Sequence, residues 1–401
     1  MASADDLIDA TEAAARLGVK KATLYAYVSR GQLSREKAVD GKHSMFDPAE
    51  VDALSKGRRR DRRGEVSAAI ASSITRVETD DFGYRGKPIS TYLDQEFEQV
   101  AAAIWQVEES SWGLSPAIEA GVRSSHDVFA SDVLLIDRLR TAVTIAASGD
   151  PFRFDLSQSA VATTGGHIIS SMVESLPLQA KASDAAGIAE QLWVRLANKA
   201  PTKAQRTALN TALVVLADHG LASSTFAGRV AASVRADPYS VVAAALGALG
   251  GRLHGAASSE VNDLFARAEV LDSGTKAVSE LLRRGERVPG FGHTVYRNGD
   301  PRFPVLYEQA LATTRSKRRT ELISEIHDAV ATRTSVLPNI DFALGSLTFL
   351  SNMIPGSGEA IFAISRTVGW LAHASEEYGE RPVRFRPQAR YVKASTLDQS
   401  V

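Results

Sequence analysis

From about residue 65 onward, apolar residues recur three and four positions apart, so that they share one face of a helix. The spacing predicts helices over Phe97–Trp105, Ile188–Leu196, 207–221 and 241–249, and this part of the chain reads as mainly α. Period-two stretches are scarce, with strands predicted only around 74–78 and 383–391. The first 65 residues follow a different plan. Thr11 is placed to cap a helix with apolar positions Ala14, Ala15 and Leu17, which Gly18 then ends. A second helix follows Lys20 and Lys21, with Leu24, Tyr25 and Val28 spaced to bury one face, and it stops at Gly31. Residues 35–46 enclose Asp40-Gly41, the two-residue signal of a tight hairpin, and Pro48 opens a short last helix to Leu54.

Helix, tight turn, helix, hairpin, helix is the order of a winged helix-turn-helix. Residues 1–55 resemble the DNA-binding end of MerR and excisionase-like regulators. Lys20, Lys21 and Arg30, with Lys42 in the hairpin, are the groups suited to phosphate contact, and residues 1–64 are the part expected to meet DNA. Thirteen basic against ten acidic residues over 1–64 leave a net of only +3, so a purely protein-binding module fits as well. The run KGRRRDRR over 56–63 reads as an exposed basic linker, here bounded at 56–65.

Composition narrows the function classes. Hydrophobic residues at 44% and charged residues at 23% exclude wholesale disorder. The absence of cysteine excludes disulfide scaffolds, thiolate zinc sites, iron–sulfur clusters and thiol nucleophiles. Lys plus Arg number 46 against 47 for Asp plus Glu, so no global field draws the chain to nucleic acid or membrane. The opening Met1 to Asp6 is acidic and polar, unlike a secretion signal, and the longest apolar stretch, 241–250, is half the ~20 residues a membrane span needs. A soluble, cytoplasmic protein without membrane contact is expected.

Three segments set polar groups beside glycine or proline in apolar surroundings. Gly251-Arg252-Leu253-His254-Gly255 places a histidine just before a helical run, where the helix N-terminus favours the neutral ring. In Pro289-Gly290-Phe291-Gly292-His293, followed by Arg297 and Asp300-Pro301-Arg302, glycines open the backbone while His293 and Arg302 are suited to grip an oxygen-rich anion. Leu337-Pro338-Asn339-Ile340-Asp341-Phe342 sets one carboxylate in an apolar stretch, where desolvation raises its pKa toward that of a useful base; a plain helix cap is the competing role.

Together, in this order and at these separations, the segments resemble the citrate synthase family. The resemblance extends to Tyr84-Arg85-Gly86, Asp218-His219, Ser224-Thr225-Phe226, Asp237-Pro238-Tyr239-Ser240, Phe362 to Arg366, Trp370 to His373 and Arg386-Pro387. It therefore covers nearly all of 66–401. It implies a two-domain helical fold, with a small domain of roughly 256–350 closing over the substrates, and a homodimer with shared active sites. The implied reaction condenses acetyl-CoA with oxaloacetate and then hydrolyses the thioester to citrate and CoA. The CoA ester is a co-substrate, and no bound cofactor or metal is implied. Asp341 matches the base, His254 the neutral histidine that stabilises the enol, and His293 the group polarising the keto carbonyl. His219, Arg302, Phe362, Arg366 and Arg386 match oxaloacetate contacts, Arg386 arriving from the other subunit. Pro289, Gly290, Phe291, Gly292 and Arg297 match the CoA-lining loop. Two alternatives stand beside this reading: a 2-methylcitrate synthase using propionyl-CoA, and a DNA-binding regulator whose synthase-like body senses CoA esters or oxo-acids.

Overall fold

Asp9 opens the first helix. Its carboxylate accepts the backbone N–H groups of Thr11 at 2.7 Å and Glu12 at 2.8 Å, so Asp9 rather than Thr11 caps Ala10–Leu17. A carboxylate at this position satisfies two orphan donors and complements the helix dipole, which places Thr11 inside the first turn. The computed structural model describes residues 7–17, 19–29, 33–37, 44–48, 50–52, 70–78, 81–130, 132–181, 183, 186–251, 254–255, 257–293, 296 and 298–387. It divides into two units, Met1–Ala71 and Ser72–Val401.

In the first unit, helices Ala10–Leu17 and Lys21–Ser29 pack beside a small antiparallel sheet of order β1-β3-β2, where β1 is Ile8–Asp9, β2 Glu36–Lys37 and β3 Ser44–Phe46. The hairpin expected over 35–46 is present as β2 and β3, with Glu36 opposite Met45; its Asp40-Gly41 tip lies outside the described residues. Strand β1 was not legible from two residues. The unit has its own core of Ile8, Ala13, Ala14, Leu17, Leu24, Leu33, Phe46 and Val51. Ala15 is exposed and Tyr25 is 39% exposed, so the inward sets are Ala13/Ala14/Leu17 and Leu24/Tyr27/Val28 rather than the ones the spacing predicted. Val51 donates to the Asp47 carbonyl at 3.1 Å, one turn of the expected last helix; Arg30, Lys42 and the 56–63 basic run lie outside the described residues.

The second unit is mainly helical, as the period predicted. Phe97–Trp105 and Ile188–Leu196 form over the expected residues. The helix expected at 207–221 runs Lys203–Leu216: a Thr202/Gln205 capping box starts it earlier, and Gly220, at φ +66°, lies in the turn beyond it. The 241–249 helix begins at Pro238, where Asp237 accepts from the Tyr239 and Ser240 N–H groups. A three-stranded antiparallel sheet, β4 (Thr75–Val77), β5 (Phe82–Tyr84) and β6 (Lys87–Pro88), accounts for the strand predicted near 74–78. The strand predicted at 383–391 does not form among its described residues: Val383 has φ +57° and donates its N–H to the Ser233 carbonyl at the end of a helix at 2.8 Å, and Arg384 donates to both oxygens of buried Glu377.

Helix Ser357–Gly379 runs through the centre and buries residues on every face, among them Ile361, Ile364, Val368, Trp370 and Leu371. It packs against Phe97–Trp105, Gln158–Glu174, Lys203–Leu216, Ser223–Ser233 and Pro238–Leu249. These surround one large apolar core. A second, smaller core gathers Val261, Phe265, Val278, Ile323, Ile326 and Phe342. Helix Ile340–Leu350 lies between the two, turning Ile340, Ala343, Leu344 and Leu347 to the large core and Phe342 and Leu350 to the small one.

Candidate active site

Four of the groups expected to do chemistry sit just after a helix end or in a first turn, while His293 lies in the loop before Arg302–Leu311. His219 follows helix Lys203–Leu216, and His254 follows Pro238–Leu249. Arg302 and Asp341 stand in the first turns of Arg302–Leu311 and Ile340–Leu350, while Phe362 and Arg366 lie one turn apart on the central helix.

His219, His254, His293, Arg302, Asp341, Phe362 and Arg366 come together. The His219 and His293 rings are 5.7 Å apart, with the Tyr296 ring 5.3 and 4.8 Å from them. Arg302 Nη2 reaches to 3.4 Å from His293 Nε2. The His254 ring meets Phe362 edge-on at 6.0 Å, and the Arg366 guanidinium lies over that same Phe362 ring at 4.5 Å.

The three histidines are held neutral. Burial lowers the pKa of His254, and Arg366 adds to it. Burial, then the cations Arg302 and Arg366, push His219 well below its ordinary value. Burial and Arg302 likewise lower His293. The Tyr296 N–H points at His293 Nδ1 at 3.3 Å while Arg302 faces Nε2, so an imidazolium would set N–H against N–H on both sides. His254 Nε2 lies 2.8 Å from Ser224 Oγ, which also accepts the Trp370 indole N–H at 3.3 Å. We assign the serine hydrogen to His254 Nε2, which places the ring proton on Nδ1.

Asp341 is raised to about 6 by burial, with Asp300 adding to the rise and Arg302 and Arg366 opposing it. It is not the cap of its helix. Asn339 is, accepting the Asp341 N–H at 3.0 Å and the Phe342 N–H at 3.4 Å. The carboxylate of Asp341 is therefore left for other work.

Two guanidinium groups supply the positive charge. Arg302 is buried and forked onto Asp300 through Nε at 2.9 Å and Nη2 at 2.7 Å. Asp300 also accepts the Ile340 N–H at 3.1 Å, so one carboxylate joins Arg302 to the helix bearing Asp341. Burial alone would raise the Asp300 pKa, but the Arg302 guanidinium and the backbone N–H groups of Arg302 and Ile340 hold it low. Arg366 is 1% exposed, donates Nε to the Leu216 carbonyl at 2.7 Å and is lowered to about 10 by burial and by Arg302. Its Nη2 and both ring nitrogens of His219 are buried with no hydrogen-bond partner among the described residues. Unmet buried donors are costly unless a ligand satisfies them. An oxygen-rich anion would do so.

The Pro289 to Gly292 loop is tied to the segment that leads into the helix bearing Asp341. Gly292 N–H donates to the Leu337 carbonyl at 2.8 Å, Phe291 bridges Pro338, and the Phe291 ring lies 4.9 Å from Phe342. Pro289 lines a cavity of about 630 Å³ with Glu260, Asp263, Arg267, Arg284 and Arg287. Arg297 lies outside the described residues. Arg386 is exposed and makes no hydrogen bond to the cluster among the described residues. Among those residues no group of three or more His, Asp or Glu is placed to hold a metal ion, and no helix is long and apolar enough to cross a membrane.

Four residues acquire roles that the sequence did not assign to them. Ser224, Asp300 and Asn339 were visible only as parts of motifs. Asp218 is fully buried, accepts from Thr75 and from the Gly220 N–H at 3.0 Å, and lies 3.4 Å from His373. Burial works to raise its pKa, yet His373, Arg366 and Thr75 hold it low, so an anion lies behind His219.

A family model described as citrate synthase, C-terminal domain, matches residues 65–388. A 2-methylcitrate synthase of Mycobacterium tuberculosis is 31% identical over 386 residues, covering 90% of this chain and 96% of that one. Citrate synthase 2 of Bacillus subtilis is 36% identical over 215 residues, covering 51% of this chain and 56% of that one. The fold is shared with the citrate synthase of Thermoplasma acidophilum, solved as a ternary complex with carboxymethyl coenzyme A and oxaloacetate. That structure aligns at TM-score 0.68 and 23% identity over 83% of this chain and 96% of its own.

Proposed function

The chain belongs to the citrate synthase family, and from that premise we propose that its own site condenses acetyl-CoA with oxaloacetate, Asp341, His254 and His293 being the catalytic groups. As an acyl-transferring condensing enzyme of this family it uses a CoA ester and no metal or prosthetic group. The observation that carries the assignment is the pairing of a carboxylate raised to about 6 with neutral histidines in one buried cluster.

Asp341 takes a proton from the carbon beside the thioester while His254 Nδ1–H donates to the thioester oxygen, so the enolate charge does not develop unshared. That carbon then bonds to the keto carbon of oxaloacetate, and the keto oxygen, polarised by His293, takes up one proton to become the hydroxyl, balancing the proton that Asp341 removed. Hydrolysis of the thioester releases citrate and CoA. The unmet donors of Arg366 and His219, with Arg302, are suited to the two carboxylates of the oxo-acid. Phe362 packs beneath Arg366 and beside His254, setting the approach of the two substrates. The Pro289 to Gly292 loop, with Arg297, is the part proposed to line the CoA. A propionyl donor, giving 2-methylcitrate, differs by one methylene, a discrimination of only ~1–3 kcal/mol. Exposed Phe152 and Phe154, with exposed Arg386, support a homodimer in which Arg386 completes the neighbour's site. The roughly 256–350 region, built on the smaller core, is the proposed closing domain, and the cytoplasm the proposed location.

The test is thiol release from acetyl-CoA with oxaloacetate, run beside propionyl-CoA and no-oxo-acid controls. Oxaloacetate-dependent release is expected, and the ratio of the two donors identifies the preferred one. Silence with both donors from folded protein would move the body to the sensor reading.

For the first unit we infer a winged helix-turn-helix that meets DNA. Two packed helices, the β2–β3 hairpin, an independent core and exposed Lys20 and Lys21 support this reading. The full chain should then shift duplex DNA with an affinity falling steeply with salt. Salt-independent or absent binding would make it a protein-contact module.

A further inference from the structure

We propose that Asn339 is the positioning residue that fixes the distance between base and electrophile, locking the His293 loop and the Asp341 helix into one piece. The proposal rests on the assignment of Asp341 and His293 given above. Asn339 bonds in two directions. Toward its own helix, Oδ1 accepts the Asp341 and Phe342 N–H groups at 3.0 and 3.4 Å. Toward the loop, Nδ2 donates to the Gly292 carbonyl at 2.8 Å, and its backbone N–H donates to the Gly290 carbonyl at 2.9 Å. Gly292 is the residue immediately before His293, and Asp341 is two residues after Asn339. This 9%-exposed side chain thus joins the two ends of the long excursion from 293 to 341, beside the backbone links from Gly292 to Leu337 and from Phe291 to Pro338.

The surroundings are built to keep that strap straight. Gly290 and Gly292 sit at φ +81° and +84°, where other residues are strained, so the loop reaches the Asn339 edge in a conformation that glycine permits. A Cβ on Gly290 would come within 2.9 Å of Phe342 Cβ and Val261 Cγ2. Asp300 performs the matching task on the other side of the helix start, accepting the Ile340 N–H while forked to Arg302.

A cap alone needs only the Oδ1 half of this side chain. Serine caps a helix about as well as asparagine, but its hydroxyl ends one bond short of the Asn339 Nδ2 that donates to the Gly292 carbonyl, so the capping half is kept and the strap is lost. The experiment is to compare Asn339→Ser and Asn339→Ala with wild type and Asp341→Asn, reading thermal midpoint, kcat and KM for both substrates. Asn339→Ser is expected to hold the thermal midpoint and both KM values while losing kcat by about 10²-fold, the scale of a ~1 Å misplacement. Asn339→Ala is expected to show the same kcat loss plus a lower midpoint. Serine restoring kcat together with the midpoint would reduce Asn339 to a cap and overturn the proposal. Should Asp341→Asn keep its turnover, the base assignment fails and the proposal falls with it; a dead Asp341→Asn beside an unimpaired Asn339→Ser refutes the strap alone.

Discussion

Replacing Asp341 by Asn should make the protein inactive and more stable at once. Burial raises this carboxyl from the ordinary 3.8 to about 6, so the folded state holds the ionised form at a disadvantage relative to the unfolded chain. At about 1.36 kcal/mol per pH unit, the interval from 3.8 to about 6 amounts to about 3 kcal/mol. The sign follows from which form folding prefers. Below 3.8 both states carry the proton and there is no penalty; between 3.8 and about 6 it grows; above about 6 it is fully present. Asn keeps the shape and never ionises. The assay is urea unfolding of wild type and Asp341→Asn at equal protein concentration, at several pH values between 4 and 8. The variant should gain up to about 3 kcal/mol at pH 8 and progressively less as the pH falls. A variant no more stable than wild type at pH 8, or a gain that does not shrink toward pH 4, would refute the claim that burial raises this pKa. The kinetic counterpart is an acid limb in the wild-type rate: activity falls as pH drops through about 6, leaving about a tenth of the base ionised at pH 5.

Two further substitutions probe the scaffold around Asp341. Asp300→Asn leaves the 3%-exposed Arg302 guanidinium without its counter-charge, and about 3–5 kcal/mol of stability should be lost in a urea midpoint measurement; an unchanged midpoint would show that Arg302 is solvated some other way. Gly290→Ala meets both a positive φ of +81° and two carbons at 2.9 Å, so a loss of about 1–3 kcal/mol and depressed turnover are expected, measured by thermal unfolding and thiol release.

The helices of the second unit were legible because their apolar period is regular, but the period does not mark their starts: the Thr202/Gln205 pair and Asp237-Pro238 begin helices that the apolar spacing placed at 207 and 241. What the period could not reveal was decided by single hydrogen bonds. Thr11 and Asp9 are both good caps, and only the carboxylate's reach to two N–H groups selects Asp9. The stretch from 383 resembles a strand in composition, but an arginine forked onto a buried glutamate holds it away from any ladder. In the site, residues whose side chains carry charge or a titratable ring stood out by chemistry. Ser224 and Asn339 did not, because their work is defined by partners 30 and 47 positions away, and the role of Asp300 needed Ile340, 40 positions on.

Helix Ile340–Leu350 is shared between two cores, with opposite faces sealed by different sets of apolar neighbours. Its backbone amides therefore have no private route to solvent: neither core can release them while the other stays closed. Deuterium should reach the amides of residues 344–350 only at the pace of the rarest opening of the second unit, slower than helices such as Pro116–Ser124 that belong to one core. Asp341, the proposed base, is thus carried on one of the least yielding stretches of the second unit, and whatever moves during turnover must move around it.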